Sequence, residues 1–485
     1  MGLFLTLLYI LTAYLSPETL WGPLYEYHIE IILAVLAAAA SVGNLQRTNL
    51  FGIPQSYALL GMCAAVFMSL VTVWLGLAPS AVIGFFASAF SFYLIVANCR
   101  TKGHLQLLIL VILIVCVNAI YRGDTALRSG NLLSPYLLAQ GDDAGSRFYR
   151  LRGLAFINDP NDFAQLIVSL IPLLFFFWKK GNPLNYLFIL PSIGYLIYGM
   201  YLTHSRGGMI ALLGVLVFAS RRKIGTIPAG IIAAAGFAAA SAVDWSGGRE
   251  VSVEAGAGRM EAWAVGIGLM KQYPLFGVGF NRFTEYFMVT AHNTVVVCAA
   301  ELGTFGLFWW TMFVLPTIRD ASVCAGSKVE APKEEDLFSY DRAFATRRDQ
   351  GPELRWREPQ AATEPSGGVL IAEEPKVRTL PTPAHLEAEM EYPKLPPEEI
   401  QRIARLTLNC IVGYLIAGWF LSRAYVMILF IYGGMVQVIY RMALEQDLAP
   451  PRMKGTKVVK YAGLGAVGLI FIVYLMLRGQ HLMPH

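Results

Sequence analysis

The chain reads as an all-α, polytopic integral membrane protein of about twelve to thirteen transmembrane helices, and three observations predict it. Hydrophobic residues fill 56% of the 485 positions and the mean hydropathy is +0.52, whereas a soluble domain runs about 45–50% apolar. Apolar runs of roughly 17 to 25 residues, the length needed to cross a hydrocarbon core of about 30 Å, recur from end to end. The short loops between them carry basic residues in a sided pattern.

Taken in order, spans are expected near residues 2–15, 30–43, 56–78, 80–98, 105–121, 161–178, 184–202, 207–220, 224–243, 292–318, 403–421, 424–440 and 460–477. The first two are short, and the 403–440 stretch is split only by Ser422 and Arg423. The opening MGLFLTLLYILTAYL has neither a basic leading region nor a small-x-small cleavage site, so it is expected to be the first span and not a removable signal peptide. With the amino terminus inside, the loops bearing Arg100 and Lys102, Lys179 and Lys180, and Arg221, Arg222 and Lys223 become cytoplasmic, as the positive-inside rule requires. The loops 122–159 and 244–291 then lie outside.

Four regions follow: helices over 1–121, a core over 122–318, an insert over 319–400, and closing helices over 401–485. The insert holds 11 basic and 17 acidic residues with Pro-rich stretches such as PKLPPEE, which reads as a solvated, largely disordered cytoplasmic linker or as a docking segment for a cytoplasmic partner. The rest keeps 27 basic against 16 acidic residues, a membrane-protein charge pattern that points away from nucleic acid. Cys63, Cys99, Cys116, Cys298, Cys324 and Cys410 sit in spans, at a cytoplasmic end or in the insert, where no disulfide is expected.

The external loops invert the usual bias. Arg122, Arg128, Arg147, Arg150, Arg152, Arg206, Arg249, Arg259, Arg282 and Arg423 fall there with a single lysine. Because a guanidinium pairs bidentately with phosphate, this face suggests a site for a phosphorylated, membrane-held substrate. Three constellations carry the idea. RFYRLRGLAFINDPND places Arg147, Arg150 and Arg152 before a span whose start is marked by Pro160, with Asn158 or Asp159 as cap. THSRGGMIALL places Arg206 at a helix start with Gly207 and Gly208 behind it, where free N–H groups bind anions; a snorkelling arginine is the plainer reading. AHNTVVVCAAELG opens a span with His292 and Asn293; a helix N-terminus disfavours imidazolium, so His292 should be neutral and able to accept a proton, although a lone interfacial histidine is the plainer reading. Between them, GRMEAWAVGIGLMKQYP has helical spacing, with Arg259 and Trp263 four apart, and is expected as an amphipathic helix on the membrane surface that ends at Pro274.

These pieces, RLRGLAFINDPNDFAQLIVSLIPLL, LTHSRGGMIALL, GRMEAWAVGIGLMKQYPLFGVGFNRF and AHNTVVVCAAELGTFGL, resemble in order and spacing the O-antigen ligase and polymerase family of bacterial envelope glycosyltransferases, over roughly residues 147–310. The resemblance implies a GT-C-like fold in the bacterial inner membrane. It also implies transfer of a glycan from an undecaprenyl-diphosphate carrier to a glycan, lipid or protein acceptor hydroxyl at the periplasmic face. By the same resemblance, Arg206 and Arg259 hold the diphosphate and His292 activates the acceptor. Arg150 or Arg152 adds an anion contact, and Arg282 and Asn293 complete the substrate-binding set. The long insert and an odd count of spans depart from the family's plan and bear on the carboxyl-terminal topology.

The residue chemistry is consistent with inverting, single-displacement transfer: the leaving diphosphate needs cations, the attacking hydroxyl needs one base, and no cofactor or metal is called for. A metal-assisted variant would use Asp159 with Asp162, or Asp142 with Asp143. A transporter or flippase of an anionic lipid-linked glycan is the rival; it predicts mid-span charges and repeated broken helices, which the sequence does not suggest. A non-catalytic scaffold would leave the external arginines unexplained.

Overall fold

The structure is a computed structural model that describes residues 1–71, 73–141, 147–242, 245, 253–326 and 394–479, the side chains of Tyr25, Gly141, Arg147 and residues 253–257 excepted. Arg249, Asp142, Asp143, the Arg147 side chain and most of the insert fall outside the described residues.

Each of the thirteen expected segments coincides with a helix: α1 (Gly2–Leu15), α2 (Ile29–Arg47), α3 (Pro54–Val71), α4 (Ala78–Asn98), α5 (Lys102–Ser129), α6 (Pro160–Leu174), α7 (Leu184–Leu202), α8 (Arg206–Ile224), α9 (Thr226–Ala242), α11 (Thr294–Cys324), α12 (Pro397–Gly418), α13 (Met427–Leu444) and α14 (Gly455–Gly479), while α10 (Val253–Gln272) is a helix where GRMEAWAVGIGLMKQYP predicted one, although its apolar residues are not gathered on one face. Among the described residues, nine helices are long and apolar enough to cross a membrane. The chain is an all-α, multi-pass membrane protein. The other four segments depart from that standard for visible reasons: α9 is apolar but has 17 residues, α8 carries Arg206, Arg221, Arg222 and Lys223, α12 opens on Glu398 and Glu399, and α7 holds Asn185 and Pro191.

The helix starts follow local chemistry. Asp159 caps α6 by accepting from Asn161 N, ahead of Pro160, whose missing N–H costs nothing in a first turn. Asn293 caps α11 by accepting from both Val295 N and Val296 N. Helix α11 is the hub, packed against α3, α10, α12, α13 and α14, and α13 is buried along nearly its whole length.

Five differences from the sequence reading matter. Helix α5 runs on to Ser129, so Arg122 and Arg128 are helical, and Arg128 pairs with Asp124 one turn earlier at 2.9 Å. An antiparallel hairpin, β1 (Leu137–Gly141) and β2 (Arg147–Leu151), occupies part of the 122–159 loop, for which no strand was expected. Helix α11 continues through Cys324, so Arg319 and Asp320 belong to the membrane body and not to the insert. Trp263 and Ile267 of α10 are buried against Val296 and Val297 of α11 and Val473 of α14, so this helix meets protein where a membrane surface was expected.

The fifth is a break in α11. Gly303 has φ 64°, and a Cβ there would stand 2.3 Å from the Leu275 carbonyl oxygen, so only glycine fits. The helix groups freed by the break are taken up by the 274–279 loop: Val278 N donates to Ala300 O (2.9 Å), Gly279 N to Glu301 O (3.1 Å), Thr304 N to Pro274 O (2.8 Å) and Phe305 N to Leu275 O (3.1 Å). Irregular backbone within a span is tolerated when protein satisfies it in this way. Glu301 beside the break is buried, so mid-span charge is less scarce than the sequence suggested.

Candidate site at the arginine-rich end

Helix α8 begins at Arg206. Ser205 caps it, its Oγ accepting from Gly208 N at 3.1 Å, and Ser205 N donates to Thr203 Oγ1 at 3.2 Å. Gly208 lets α8 lie directly on α6, since a Cβ would come within 2.7 Å of the Ala164 methyl. The N-terminus of α8, with its partial positive charge, therefore starts at the guanidinium-bearing residue.

Arg150 projects from β2 and is 4% exposed. Its Nε donates to Thr203 O (2.8 Å), Nη1 to Gln140 Oε1 (3.0 Å) and Nη2 to Asn161 Oδ1 (3.0 Å), and Ser205 Oγ also donates to Asn161 Oδ1 (2.9 Å). One guanidinium thus ties the hairpin, the start of α6 and the turn before Arg206 together. Burial pushes its pKa down to about 10, with Asp159 opposing and Arg206 reinforcing, so it remains charged at neutral pH.

Arg259 stands one turn before Trp263, whose Nε1 donates to Ala291 O at 2.8 Å and whose ring meets Trp419 edge to face at 5.9 Å. Helix α10 consequently pins the residue before His292. Burial, then the nearby charge of Arg206, hold the Arg259 pKa below its ordinary value.

His292 adopts a left-handed φ of 47°. Its backbone N donates to Ser422 Oγ (2.8 Å), Asn293 Nδ2 to Trp419 O (3.1 Å) and Thr294 Oγ1 to Leu421 O (2.9 Å), which stitches the start of α11 to the loop between α12 and α13. Burial first, then the charge of Arg259, lower the imidazole pKa, against a smaller opposing effect from Asp159. A neutral His292 was expected from the helix N-terminus; the structure puts the cause in burial and a neighbouring guanidinium.

The same loop supplies Arg423, which forms an ion pair with Asp162 of α6. Tyr414 Oη donates to Arg423 O at 2.7 Å, fixing the loop backbone. Burial is outweighed by Asp162, so the Arg423 pKa lies above its ordinary value.

Electrostatic influence thus runs from His292 to Arg259, from Arg259 to Arg206 and from Arg206 to Arg150, with Asp159 reaching His292, Arg150 and Arg423. Among the described residues, four guanidinium groups and two carboxylates are linked in this way, Asp162 being paired with Arg423. Like charges gathered beneath partial burial disfavour one another's charged forms, and groups perturbed in this way mark a candidate functional site.

Other candidates are placed elsewhere or otherwise occupied. Arg152 spends Nε on Pro135 O (2.9 Å) and Nη1 on Asn158 O (3.4 Å), bracing the hairpin. Asn293 is fully buried, its side chain shared between the α11 cap and Trp419. Arg282 answers Glu285 at 2.5 Å, and donating hydrogen bonds to that carboxylate raises its pKa. Asp159 and Asp162, the candidate metal pair, serve as a helix cap and as the partner of Arg423. Sequence reasoning missed the Asp162–Arg423 pair, Ser422 and Glu301. The first two join residues far apart in the chain and left no local signal; Glu301 did leave one, a lone acid in the apolar run AAELG.

Comparison with known proteins agrees with the resemblance. Residues 191–311 match the family described as O-Antigen ligase. The matched segment spans the second half of α7, α8 to α10 and the first part of α11, and so contains Arg206, Arg259, Arg282, His292 and Asn293. No curated protein matches the chain.

Proposed function

Taking the O-antigen ligase domain as premise, we propose that the chain transfers a glycan from an undecaprenyl-diphosphate carrier to an acceptor hydroxyl at the periplasmic face of the bacterial inner membrane. The domain match supports ligase or polymerase activity in general; the rest of the scheme rests on residue chemistry. The observation that carries it is that burial and the Arg259 guanidinium both lower the pKa of His292, while Arg259 in turn feels Arg206.

In this scheme the neutral imidazole of His292 takes the proton of the acceptor hydroxyl as its oxygen bonds to the anomeric carbon. The bond from that carbon to the diphosphate oxygen breaks, and its electron pair leaves on the diphosphate. Arg206 and Arg259 receive the growing charge, aided by the N–H groups at the start of α8. Attack opposite the leaving group inverts the anomeric centre. Arg150 and Arg423 act at one remove, Arg150 by fixing the Thr203–Ser205 turn and Arg423 by fixing the loop against which His292 is bonded. No metal is needed for this division of labour, because fixed cations already stabilise the leaving group.

The test is transfer by the purified protein from a synthetic undecaprenyl-diphosphate oligosaccharide, with carrier-linked glycan, lipid A core and protein offered as acceptors. Product with an inverted linkage, formed in excess EDTA, is expected. A ladder of sizes indicates polymerisation and a single addition indicates ligation. No transfer to any of these acceptors, or retention of anomeric configuration, overturns the scheme.

A further inference from the structure

Beside the arginines lies a group of rings that the scheme above leaves unused. Tyr201 lies in the last turn of α7, His204 follows that helix, Trp245 comes from beyond α9, and Phe148 comes from β2. The His204 ring stands 5.5 Å from Tyr201 and 6.0 Å from Phe148, and Tyr201 stands 5.8 Å from Trp245. All four are only partly buried, although they sit at a polar, loop-built end of the molecule. The group is fastened to the turn that precedes Arg206: Trp245 Nε1 donates to Ser205 O (3.3 Å), and His204 Nδ1 bonds with Trp245 O (3.1 Å). His204 holds a left-handed φ of 48°, an unfavourable conformation for a residue with a Cβ, which persists where the surroundings impose it.

We propose that Tyr201, His204, Trp245 and Phe148 form the subsite for the sugar residues attached directly to the carrier diphosphate. The inference rests on the reading of Arg206 as a diphosphate ligand. The sugar joined to a diphosphate lies within one ring's width of it, and His204 and Ser205 immediately precede Arg206 in the chain. A pyranose presents an apolar face of C–H groups that packs against aromatic rings, while its hydroxyls stay with water or polar groups. Partly exposed rings fixed by hydrogen bonds suit that ligand, and the flat contact tolerates different sugars.

The test compares binding of two probes to the purified full-length protein: undecaprenyl diphosphate bearing an oligosaccharide, and undecaprenyl diphosphate bearing none. Trp245→Ala and Tyr201→Ala are expected to weaken the glycan-bearing probe by about tenfold and to leave the sugar-free probe unchanged. Trp245→Phe, which keeps a ring but loses the bond to Ser205 O, retains most of the preference. Equal weakening of both probes would mean that the rings only brace the turn before Arg206, and unchanged binding of both would mean that they do not meet sugar; either result overturns the subsite. Arg206→Ala is the separate control: unchanged binding of both probes by that variant sinks the diphosphate reading and leaves the aromatic result to be judged by itself.

Discussion

Two groups of buried charge lie in different parts of this molecule and are handled in opposite ways. Near the end of α11, Asp320 collects Gln55 Nε2 (3.2 Å), Gln437 Nε2 (3.0 Å) and Arg319 (2.8 Å), with Arg452 at 3.8 Å and lying over the Tyr440 ring at 4.8 Å from its centre. There the cations converge on a single carboxylate, and four chain segments are locked together. At the loop-built end, Arg206 and Arg259 repel one another and His292 feels both burial and a cation. The first arrangement is what a folded membrane protein needs to bury charge. In the second, burial and a neighbouring cation act together against the charged forms of Arg259 and His292.

The sharpest way to break this contrast is at His292. His292→Ala should lower transfer by roughly 10² to 10⁴, the range for losing a general base, with the amount of folded protein unchanged on size-exclusion chromatography. Activity near normal removes the base from the scheme. Arg206→Ala and Arg259→Ala come next, each expected to lower kcat by about 10² to 10³. Arg→Lys at either position should recover part of the rate, because a point charge lacks the bidentate fork.

Asp320→Asn tests the other group. Breaking a buried pair costs about 3–5 kcal/mol, so the thermal midpoint in detergent should fall clearly while kcat per folded molecule stays the same. A kinetic defect without loss of stability would erase the distinction between the two clusters.

A smaller effect is the pH profile. The base must be neutral to accept a proton, so activity should fall with acid through an apparent pKa below the ordinary histidine value, since burial and Arg259 both disfavour the imidazolium. Arg259→Gln removes one of the two causes and should move this acidic limb toward higher pH in the residual activity; an unmoved limb would separate His292 from Arg259. Least of all is expected from Arg282→Ala, because an exposed pair such as that with Glu285 is worth about 0–1 kcal/mol and is not linked to the cluster.

Much of the membrane architecture was legible before any coordinates. Apolar runs marked all thirteen segments, nine of them helices long and apolar enough to cross a membrane, Asp159 with Pro160 announced the start of α6, and Gly207 with Gly208 marked the start of α8. These signals are local: a cap bonds within three residues, and a span declares itself by composition. The hairpin went unread because its strands are short and their mixed polarity, LLAQG and RFYRL, lacks the alternation of a half-buried sheet. The broken α11 went unread as well, since Gly303 in an apolar run looks like ordinary helix until the 274–279 loop is seen to take up its free groups.

The roles of the arginines divide along the same line. Their number and their sidedness belong to the sequence, because topology follows hydrophobic length and charge bias summed along the chain. Which of them braces a hairpin, as Arg152 does, which answers an acid, as Arg282 and Arg423 do, and which acts on His292, as Arg259 does, was decided by the tertiary structure alone. A guanidinium looks the same wherever it stands in the text of a sequence. Its work depends on the charges within a few ångströms, and those neighbours come from helices and loops that only the packed bundle brings together.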